Sequence, residues 1–299
     1  MLTTGALVLF SLVIVAGAVA EDSFSETLSK AQKGDAAAQY NHGLKYYEGK
    51  GVPQDFAEAL RWYRMAADQG EARAQLNLGF MYQNGQGVPQ DYAEAVRLYR
   101  LVADQGYATA QTNLGIMYFN GNGVPQDYAE ALRWFRMAAD QGFADAQSNL
   151  GTMYSWGQGV PQDYAEAVKW YRLAAEQGDA AAQTNLGVMY HKGQGVPQDY
   201  AEAVKWFRMA AEQGNADAQN NLGVMYFEGK GVRQDYAEGL ALNRLAAEQG
   251  NSNAQYNLGE KYETGTGVPK DDAEAAKWYR LAAENGDEDA REALRRLKK

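Results

Sequence analysis

The sequence predicts an all-α fold, a solenoid of seven helix-pair repeats of 36 residues each, closed by a C-terminal capping helix. Three observations predict this fold. A glycine recurs every 36 residues without an insertion, two apolar patterns of helical spacing lie between successive glycines, and a stretch with glycine and proline separates the two patterns. The recurring glycines are Gly34, Gly70, Gly106, Gly142, Gly178, Gly214, Gly250 and Gly286.

The first twenty residues contain no Asp, Glu, Lys or Arg, and they are almost wholly apolar from Gly5 to Ala20. Small residues end this run before Glu21, which predicts a signal peptide over residues 1–20. The run is about 16 residues long and close to the roughly 17 that span a bilayer, so an uncleaved membrane anchor is the alternative. Both interpretations predict an exported protein, periplasmic or secreted.

The repeats are predicted to occupy residues 34–285, after an N-terminal capping segment at residues 21–33. His42 stands where the other six repeats have leucine, and we expect it to be a packing variant left exposed because no repeat precedes it. Residues 286–299 form the predicted capping helix, in which Arg295 replaces a glycine that every full repeat has. The seven repeats are 34–69, 70–105, 106–141, 142–177, 178–213, 214–249 and 250–285.

Each repeat contains two predicted helices, which we call helix A and helix B. In the fourth repeat, Leu150 and Met153 belong to the apolar pattern of helix A, and Val168 and Tyr171 belong to that of helix B. Several further positions hold the same residue in every copy. We therefore expect the copies to share one packing arrangement.

The loop between the two helices has the pattern Gly-x-Gly-Val-Pro-Gln-Asp-Tyr, as in Gly157 to Tyr164. Gly157 can end helix A in a left-handed conformation, and Pro161 favours a new helix start. A further glycine lies inside helix A, where it costs about 1 kcal/mol against alanine, so we expect another helix to approach closely there. These glycines are Gly43, Gly79, Gly115, Gly151, Gly187, Gly223 and Gly259.

The segments Gly-x-Ala-x-Ala-Gln-x-Asn-Leu-Gly-x-Met-Tyr and Gly-x-Gly-Val-Pro-Gln-Asp-Tyr-Ala-Glu-Ala resemble the SEL-one-like repeat (SLR), a relative of the tetratricopeptide repeat. The resemblance covers Gly34 to about Lys299. It implies antiparallel helix pairs stacked into a right-handed superhelix, with helix A on the concave side. It also implies that the protein serves as an adaptor or scaffold.

The composition limits the function. The chain has 28 Lys and Arg against 38 Asp and Glu, a net charge of −10, which argues against nucleic acid as a partner. It has no cysteine, its two histidines lie far apart, and no serine is followed by lysine three residues later. We therefore expect no catalytic residue, no metal site, no cofactor and no enzymatic activity. A cell-envelope hydrolase of β-lactamase-like type, acting on cell-wall or β-lactam-like substrates, is the alternative.

Comparison of the repeats with one another separates two kinds of position. A residue needed for stacking should be the same in every repeat, whereas a residue free of that role can vary. The identical glutamines and asparagines, such as Gln75 and Asn77, are predicted to form structural hydrogen bonds. The recurring arginines, such as Arg64, are predicted to pair with the acid four residues later, and Trp62 and its equivalents are predicted to be core or seam residues.

Three positions of helix A, spaced four and then three residues apart, vary between repeats and share one helix face. Many are large and apolar, so we interpret this set, the variable stripe, as a recognition surface. The alternative is that Phe80, Ile116 and Val188 fill seams between repeats. The stripe comprises Tyr40, Leu44, Tyr47; Leu76, Phe80, Gln83; Thr112, Ile116, Phe119; Ser148, Thr152, Ser155; Thr184, Val188, His191; Asn220, Val224, Phe227; and Tyr256, Glu260, Glu263.

The sequence thus predicts a protein or peptide partner bound along the groove that helix A lines. A periplasmic regulator that sequesters a signalling protein is a second alternative. We expect a monomer that meets a membrane only through an N-terminal anchor. The predicted partner-binding residues are Tyr40, Leu44, Tyr47, Phe80, Gln83, Ile116, Phe119, Trp156, Val188, His191, Val224 and Phe227.

Overall fold

A computed structural model describes residues 23–297, which form sixteen α-helices and no strand. The predicted signal peptide lies outside the described residues. The helices are α1 Phe24–Gln32, α2 Ala36–Glu48, α3 Phe56–Asp68, α4 Ala72–Asn84, α5 Tyr92–Ala103, α6 Ala108–Asn120, α7 Tyr128–Ala139, α8 Ala144–Trp156, α9 Tyr164–Glu176, α10 Ala180–Lys192, α11 Tyr200–Glu212, α12 Ala216–Glu228, α13 Tyr236–Glu248, α14 Ser252–Thr264, α15 Asp272–Glu284 and α16 Glu288–Leu297.

The helices confirm the predicted fold class. Helix A of the repeats corresponds to the even-numbered helices α2 to α14, and helix B to the odd-numbered helices α3 to α15. Consecutive helices from α1 to α7 pack together, as do those from α9 to α16, so α4 contacts α3 and α5, and α12 contacts α11 and α13. Nothing between residues 23 and 297 has both the length and the hydrophobicity of a bilayer-spanning helix.

The described residues form two compact units. The first contains residues 23–146 and 158–160, and the second contains residues 147–157 and 161–297, so the division passes through α8. In the first unit, the buried rings of Tyr63 and Tyr99 each lie in an apolar cluster between neighbouring helices. Phe207 has the corresponding place in the second unit. The core of each unit is therefore a series of layers between consecutive helices.

The loop prediction is confirmed. Gly85 ends α4 with φ of 68°, and its N–H donates to the carbonyl of Met81. The side chain of Gln90 donates to the carbonyl of Gln83 at 2.7 Å, which holds the loop against helix A. Asp91 then accepts from the N–H of Glu94 at 3.0 Å and caps α5. The loop therefore stops one helix and starts the next with its own residues.

The predicted close approach at the glycines inside helix A is also confirmed. A Cβ placed on Gly115 would lie 2.7 Å from the ring of Phe135, and one on Gly187 would lie 2.6 Å from the ring of Phe207. In both repeats the ring comes from helix B of the same repeat. The contact with this ring offsets the low helix propensity of glycine.

The expectation that His42 is exposed was wrong. Its side chain is fully buried, because α1 covers the first repeat. The hydroxyl of Thr27 lies 3.1 Å from Nδ1 of His42, and the rings of Phe24 and Trp62 lie 4.5 and 4.9 Å from its ring. Burial lowers the pKa of His42, which favours the neutral imidazole.

At the other end, α16 is held to the seventh repeat by a carboxylate. Glu263 accepts from the guanidinium of Arg296 at 2.7 Å and from the hydroxyl of Tyr279 at 2.7 Å. The hydrogen bond from Arg296 is the main cause of a lowered pKa at Glu263. The charged carboxylate therefore stabilises the docking of α16.

We predict that α16 becomes less protected at acid pH. Because the folded-state pKa of Glu263 is depressed, its contribution is present above the unfolded pKa near 4.5 and is lost as the pH falls through the folded value. Amide hydrogen exchange in α16, corrected for intrinsic rates, should speed up below pH 4.5. Glu263→Gln should speed it up already at pH 7, and an unchanged rate in that variant would contradict the assignment.

Candidate functional site

Of the 21 residues of the variable stripe, twelve are buried and nine are half-buried, which corrects the interpretation of the stripe as an exposed surface. Val188 is 0% exposed and Phe119 is 8% exposed. Five of the predicted partner-binding residues are buried, namely Tyr40, Ile116, Phe119, Val188 and Phe227. Six are half-buried, namely Leu44, Tyr47, Phe80, Gln83, His191 and Val224. Trp156, at the end of α8, is exposed to 47%.

The stripe is buried because it packs against one position of helix B, which we call the core aromatic position. Gln83 accepts from the hydroxyl of Tyr99 at 2.8 Å, and Thr152 accepts from the hydroxyl of Tyr171 at 3.0 Å. Burial raises the pKa of Tyr171 to about 12, so its hydroxyl stays protonated and donates. The core aromatic position holds Tyr63, Tyr99, Phe135, Tyr171, Phe207, Asn243 and Tyr279.

In three repeats the stripe varies together with this position. In the second and seventh repeats, Tyr99 and Tyr279 donate to the stripe residue sixteen positions earlier, Gln83 or Glu263. In the third repeat the ring is Phe135, which has no hydroxyl, and that stripe residue is Phe119. The fifth repeat departs from this pairing, since the polar His191 lies sixteen positions before Phe207. Compensated packing therefore accounts for the variation in the second, third and seventh repeats.

The constant polar residues are structural, as predicted. Gln111 donates to the carbonyl of Ala103 at 3.2 Å and accepts from the side chain of Gln141 at 2.8 Å. The same pair of bonds recurs in the second unit, where Gln183 donates to Ala175 and accepts from Gln213. This arrangement ties helix A to the preceding helix B and to the end of its own helix B.

The prediction for the arginines was wrong. Arg64 donates to the hydroxyl of Tyr82 at 2.7 Å, and Arg172 donates to the hydroxyl of Tyr190 at 2.6 Å. Each bond joins helix B to helix A of the following repeat. The arginine therefore bonds to a tyrosine eighteen residues later and not to the acid four residues later. The same bond is formed by Arg100, Arg208 and Arg244.

The tryptophans of helix B are core residues, as predicted. Trp62, Trp134, Trp206 and Trp278 are buried, and Trp170 is half-buried. Lys205 and Lys277 extend over the rings of Trp206 and Trp278. These rings are therefore covered and do not form a ligand cage.

One apolar position of helix B is exposed in all seven repeats. Most other large apolar residues of helix B are buried or half-buried, whereas this position is 36% to 50% exposed in every copy. Comparison of the repeats did not select this position, because it considered only the variable positions of helix A as a recognition surface. We call these residues the helix B row: Met65, Leu101, Met137 in the first unit and Leu173, Met209, Leu245, Leu281 in the second.

Polar and charged side chains border the helix B row. Arg133 approaches the sulfur of Met137 at 3.6 Å and pairs with Glu130 at 2.8 Å. On the other side, Gln177 donates to the backbone carbonyl of Leu173 at 3.2 Å. Six of the seven row residues follow an Arg or Lys by four positions, the exception being Leu245, which follows Ala241. An apolar side chain beside solvated groups is the pattern of an interface anchor with a polar rim.

The sixth repeat departs from the others at the core aromatic position, where Asn243 replaces the ring. A cavity of about 160 Å³ lies beside it, lined in part by Val224, Phe227 and Asn257. An open depression of about 550 Å³ lies next to Arg233, where six repeats have proline. Between residues 23 and 297, no three His, Cys, Asp or Glu side chains are grouped to hold a metal ion.

The sequence model of the Sel1 repeat matches seven consecutive segments of the chain. No curated protein matches the chain. The matched segments are residues 36–71, 72–107, 108–143, 144–179, 180–215, 216–251 and 252–287.

Solved structures with the same fold include two bacterial repeat proteins. A protective antigen of uropathogenic Escherichia coli strains with an SLR fold is 42% identical, covers 93% of this chain and has a TM-score of 0.78. This chain spans only 59% of the length of that antigen. A Sel1 repeat protein from Oxalobacter formigenes is 37% identical, with 93% of this chain and 83% of that one covered and a TM-score of 0.72.

Proposed function

This chain belongs to the Sel1 repeat family, and we propose that it is an exported, non-enzymatic scaffold that binds a partner protein through the helix B row. Solenoids of this family generally act in protein–protein interaction. A repeat array offers a long surface with the same chemistry at regular intervals. The partner would therefore be recognised by several weak contacts and not by one deep pocket.

The exposure of the helix B row is the observation that carries this proposal. A single exposed Leu or Met is ordinary, but the same position is exposed and apolar in seven of seven repeats. Covering the exposed part of each side chain would contribute about 1 kcal/mol, so three or four of them supply an appreciable part of an affinity.

The net charge of the chain and its proposed export indicate the kind of partner. The chain carries a net charge of −10, which would speed association with a basic protein at low ionic strength. The apolar segment at residues 1–20 supports export. A 42% identical relative is described as a protective antigen, which also supports a place accessible from outside the cell. The proposed partner is therefore a basic protein of the cell envelope or its surroundings.

A photo-crosslinking residue, benzoylphenylalanine, tests the helix B row in the native organism. Placed at Leu101 or Leu245, it should give one dominant protein adduct, because these side chains would lie inside the interface. The control positions are Asp104 and Glu248, which are exposed and lie three residues after Leu101 and Leu245. Benzoylphenylalanine at either control position should give at least fivefold less of that adduct. Equal adducts at all four positions, or none, would reject the helix B row as the binding surface.

A further inference from the structure

We propose that the cavity of the sixth repeat is a receptor for an aromatic side chain of the partner protein. This inference rests on the proposed function, because the ring is supplied by the bound protein. The core aromatic position of six repeats shows what fills this place, since each of those repeats inserts its own Tyr or Phe ring. The sixth repeat has Asn243 and leaves the place open.

The cavity occupies the surroundings that hold a ring in the other repeats. In the first repeat, the hydroxyl of Tyr63 accepts from Asn77 of the next helix A, and in the fourth repeat Tyr171 donates to Thr152. Around the core aromatic position of the sixth repeat, Asn257 corresponds to Asn77 and Val224 corresponds to Thr152. Both line the cavity.

The volume suits one ring. The cavity measures about 160 Å³. An enclosed cavity of about 150 Å³ in another protein holds one benzene molecule. Glu228 is an exposed lining residue, so this cavity is open on that side and a side chain can enter from solvent. A larger ligand would not fit without movement of helix A or helix B.

The loss of the ring is matched by other changes in the same repeat. Gly239 replaces an alanine found in the other six repeats, and a Cβ there would lie 3.0 Å from the ring of Phe227. Phe227 thus leans onto Gly239 and forms one apolar wall of the cavity. A repeat that had simply lost its ring would collapse or carry a larger neighbour in compensation.

Buried amides keep the cavity from closing. Asn243 is fully buried and donates to Asn220, which also accepts from Asn257, both at 2.8 Å. Oδ1 of Asn243 and Nδ2 of Asn220 have no hydrogen-bond partner in the described part of the chain. A buried polar group without a hydrogen-bond partner lowers the stability of the fold. Two such groups at one place indicate a site that has a role other than stability.

The facing helix of the seventh repeat has changed as well. Lys261 stands where five repeats bury a methionine, and its ammonium lies 4.9 Å from the ring centre of Phe227 and 2.7 Å from Glu260. Glu260 in turn replaces the mainly apolar residues of the other repeats. The ammonium of Lys261 contacts the Phe227 ring by a cation–π interaction, and the same ring lines the cavity. Two adjacent repeats therefore depart from the common pattern at the same place.

Side-chain analogues test this site on the full chain. Toluene and p-cresol should shift the NMR signals of the Asn220, Asn243 and Asn257 side-chain amides in a saturable way, whereas n-butylammonium and acetate should not. If neither aromatic compound saturates, or if a charged compound binds more tightly, the inference is overturned. The capped tripeptide acetyl-Gly-Phe-Gly-amide should also bind. Toluene binding without tripeptide binding would show that free aromatic compounds are the ligands and would overturn the protein source.

Variants that fill the cavity complete the test. The double variant Gly239→Ala with Asn243→Phe copies the third repeat, which has Ala131, Phe135 and Phe119. It should lose at least tenfold in affinity for toluene, and its Tm should rise by about 2 °C or more, because the ring replaces buried unpaired amides. Binding that survives in the folded variant would contradict the site. Val224→Phe, which copies Phe80 of the second repeat, is the alternative if the double variant does not fold.

The same titration separates this inference from the proposed function. Leu245→Ser, in the helix B row of the same repeat, should leave toluene binding unchanged. Toluene binding without any crosslinked partner at the helix B row would reject the proposed function, and with it the partner as the source of the ring, although the cavity would still bind a ring. Crosslinking without toluene binding would reject the cavity alone.

Discussion

Gly195→Ala should lower the free energy of unfolding by roughly 4 kcal/mol, the sum of two effects at one loop position. Gly195 has φ of 72°, a conformation that alanine adopts only with strain. A Cβ there would also lie 2.2 Å from the backbone carbonyl oxygen of Tyr164, and a backbone atom cannot move aside as a side chain can. Chemical denaturation followed by circular dichroism measures the loss.

Gly178→Ala is the matched control for this prediction. Gly178 has φ of 96°, but no atom lies within 4 Å of its missing Cβ. Only the conformational strain remains, so the loss should be about 1 kcal/mol. Equal losses in the two variants would show that the contact between the loop and the preceding repeat contributes nothing.

Phe119→Ala should lower the free energy of unfolding by about 3 to 5 kcal/mol, the usual range for a buried phenylalanine. Phe119 is 8% exposed and lies 5.0 Å from the ring of Tyr128, so its removal leaves a cavity in the third repeat. The Tm should fall by roughly 10 °C. Trp156→Ala removes a larger ring that is 47% exposed, and its Tm should change by less than about 3 °C. A smaller loss at Phe119 than at Trp156 would contradict the burial of the stripe.

The periodic elements of the fold could be predicted from the sequence. Gly85 ends a helix and Asp91 begins the next because their roles depend on a few neighbouring atoms. The glycines inside helix A, such as Gly115, could be assigned to a close helix contact because nothing else explains their cost in all seven repeats. Local conformation and repeated packing are therefore readable from a single sequence.

The variable stripe could not be assigned correctly from the same comparison. The premise was that residues in contact with each other agree between repeats. Gln83 contacts Tyr99, and the third repeat has Phe119 and Phe135 at the same two positions, so a buried position can vary when its partner position changes with it. Variation at one position therefore distinguishes surface from core only when its contact partner is known, and that partner lies sixteen residues away on another helix.

The helix B row was missed for a different reason. Leu101 and Leu173 lie four residues after Arg97 and Lys169, outside the apolar pattern of helix B, so comparison of the repeats did not select them. Their exposure depends on how far the following helix A covers helix B, which is a property of the packed array. Asn243 was overlooked as well, although the signal was available, since it is the only polar residue without a ring at the core aromatic position.

The central claim is that the stripe variation in the second, third and seventh repeats is compensated by the core aromatic position, and a double-mutant cycle in the third repeat tests it. Phe119→Gln and Phe135→Tyr together introduce the Gln83 and Tyr99 pair of the second repeat. Each single variant buries an unpaired polar group and should be destabilised, whereas the double variant should recover a coupling energy of about 1 kcal/mol or more. A coupling energy near zero, with additive losses, would show that the two positions vary independently and would contradict the account.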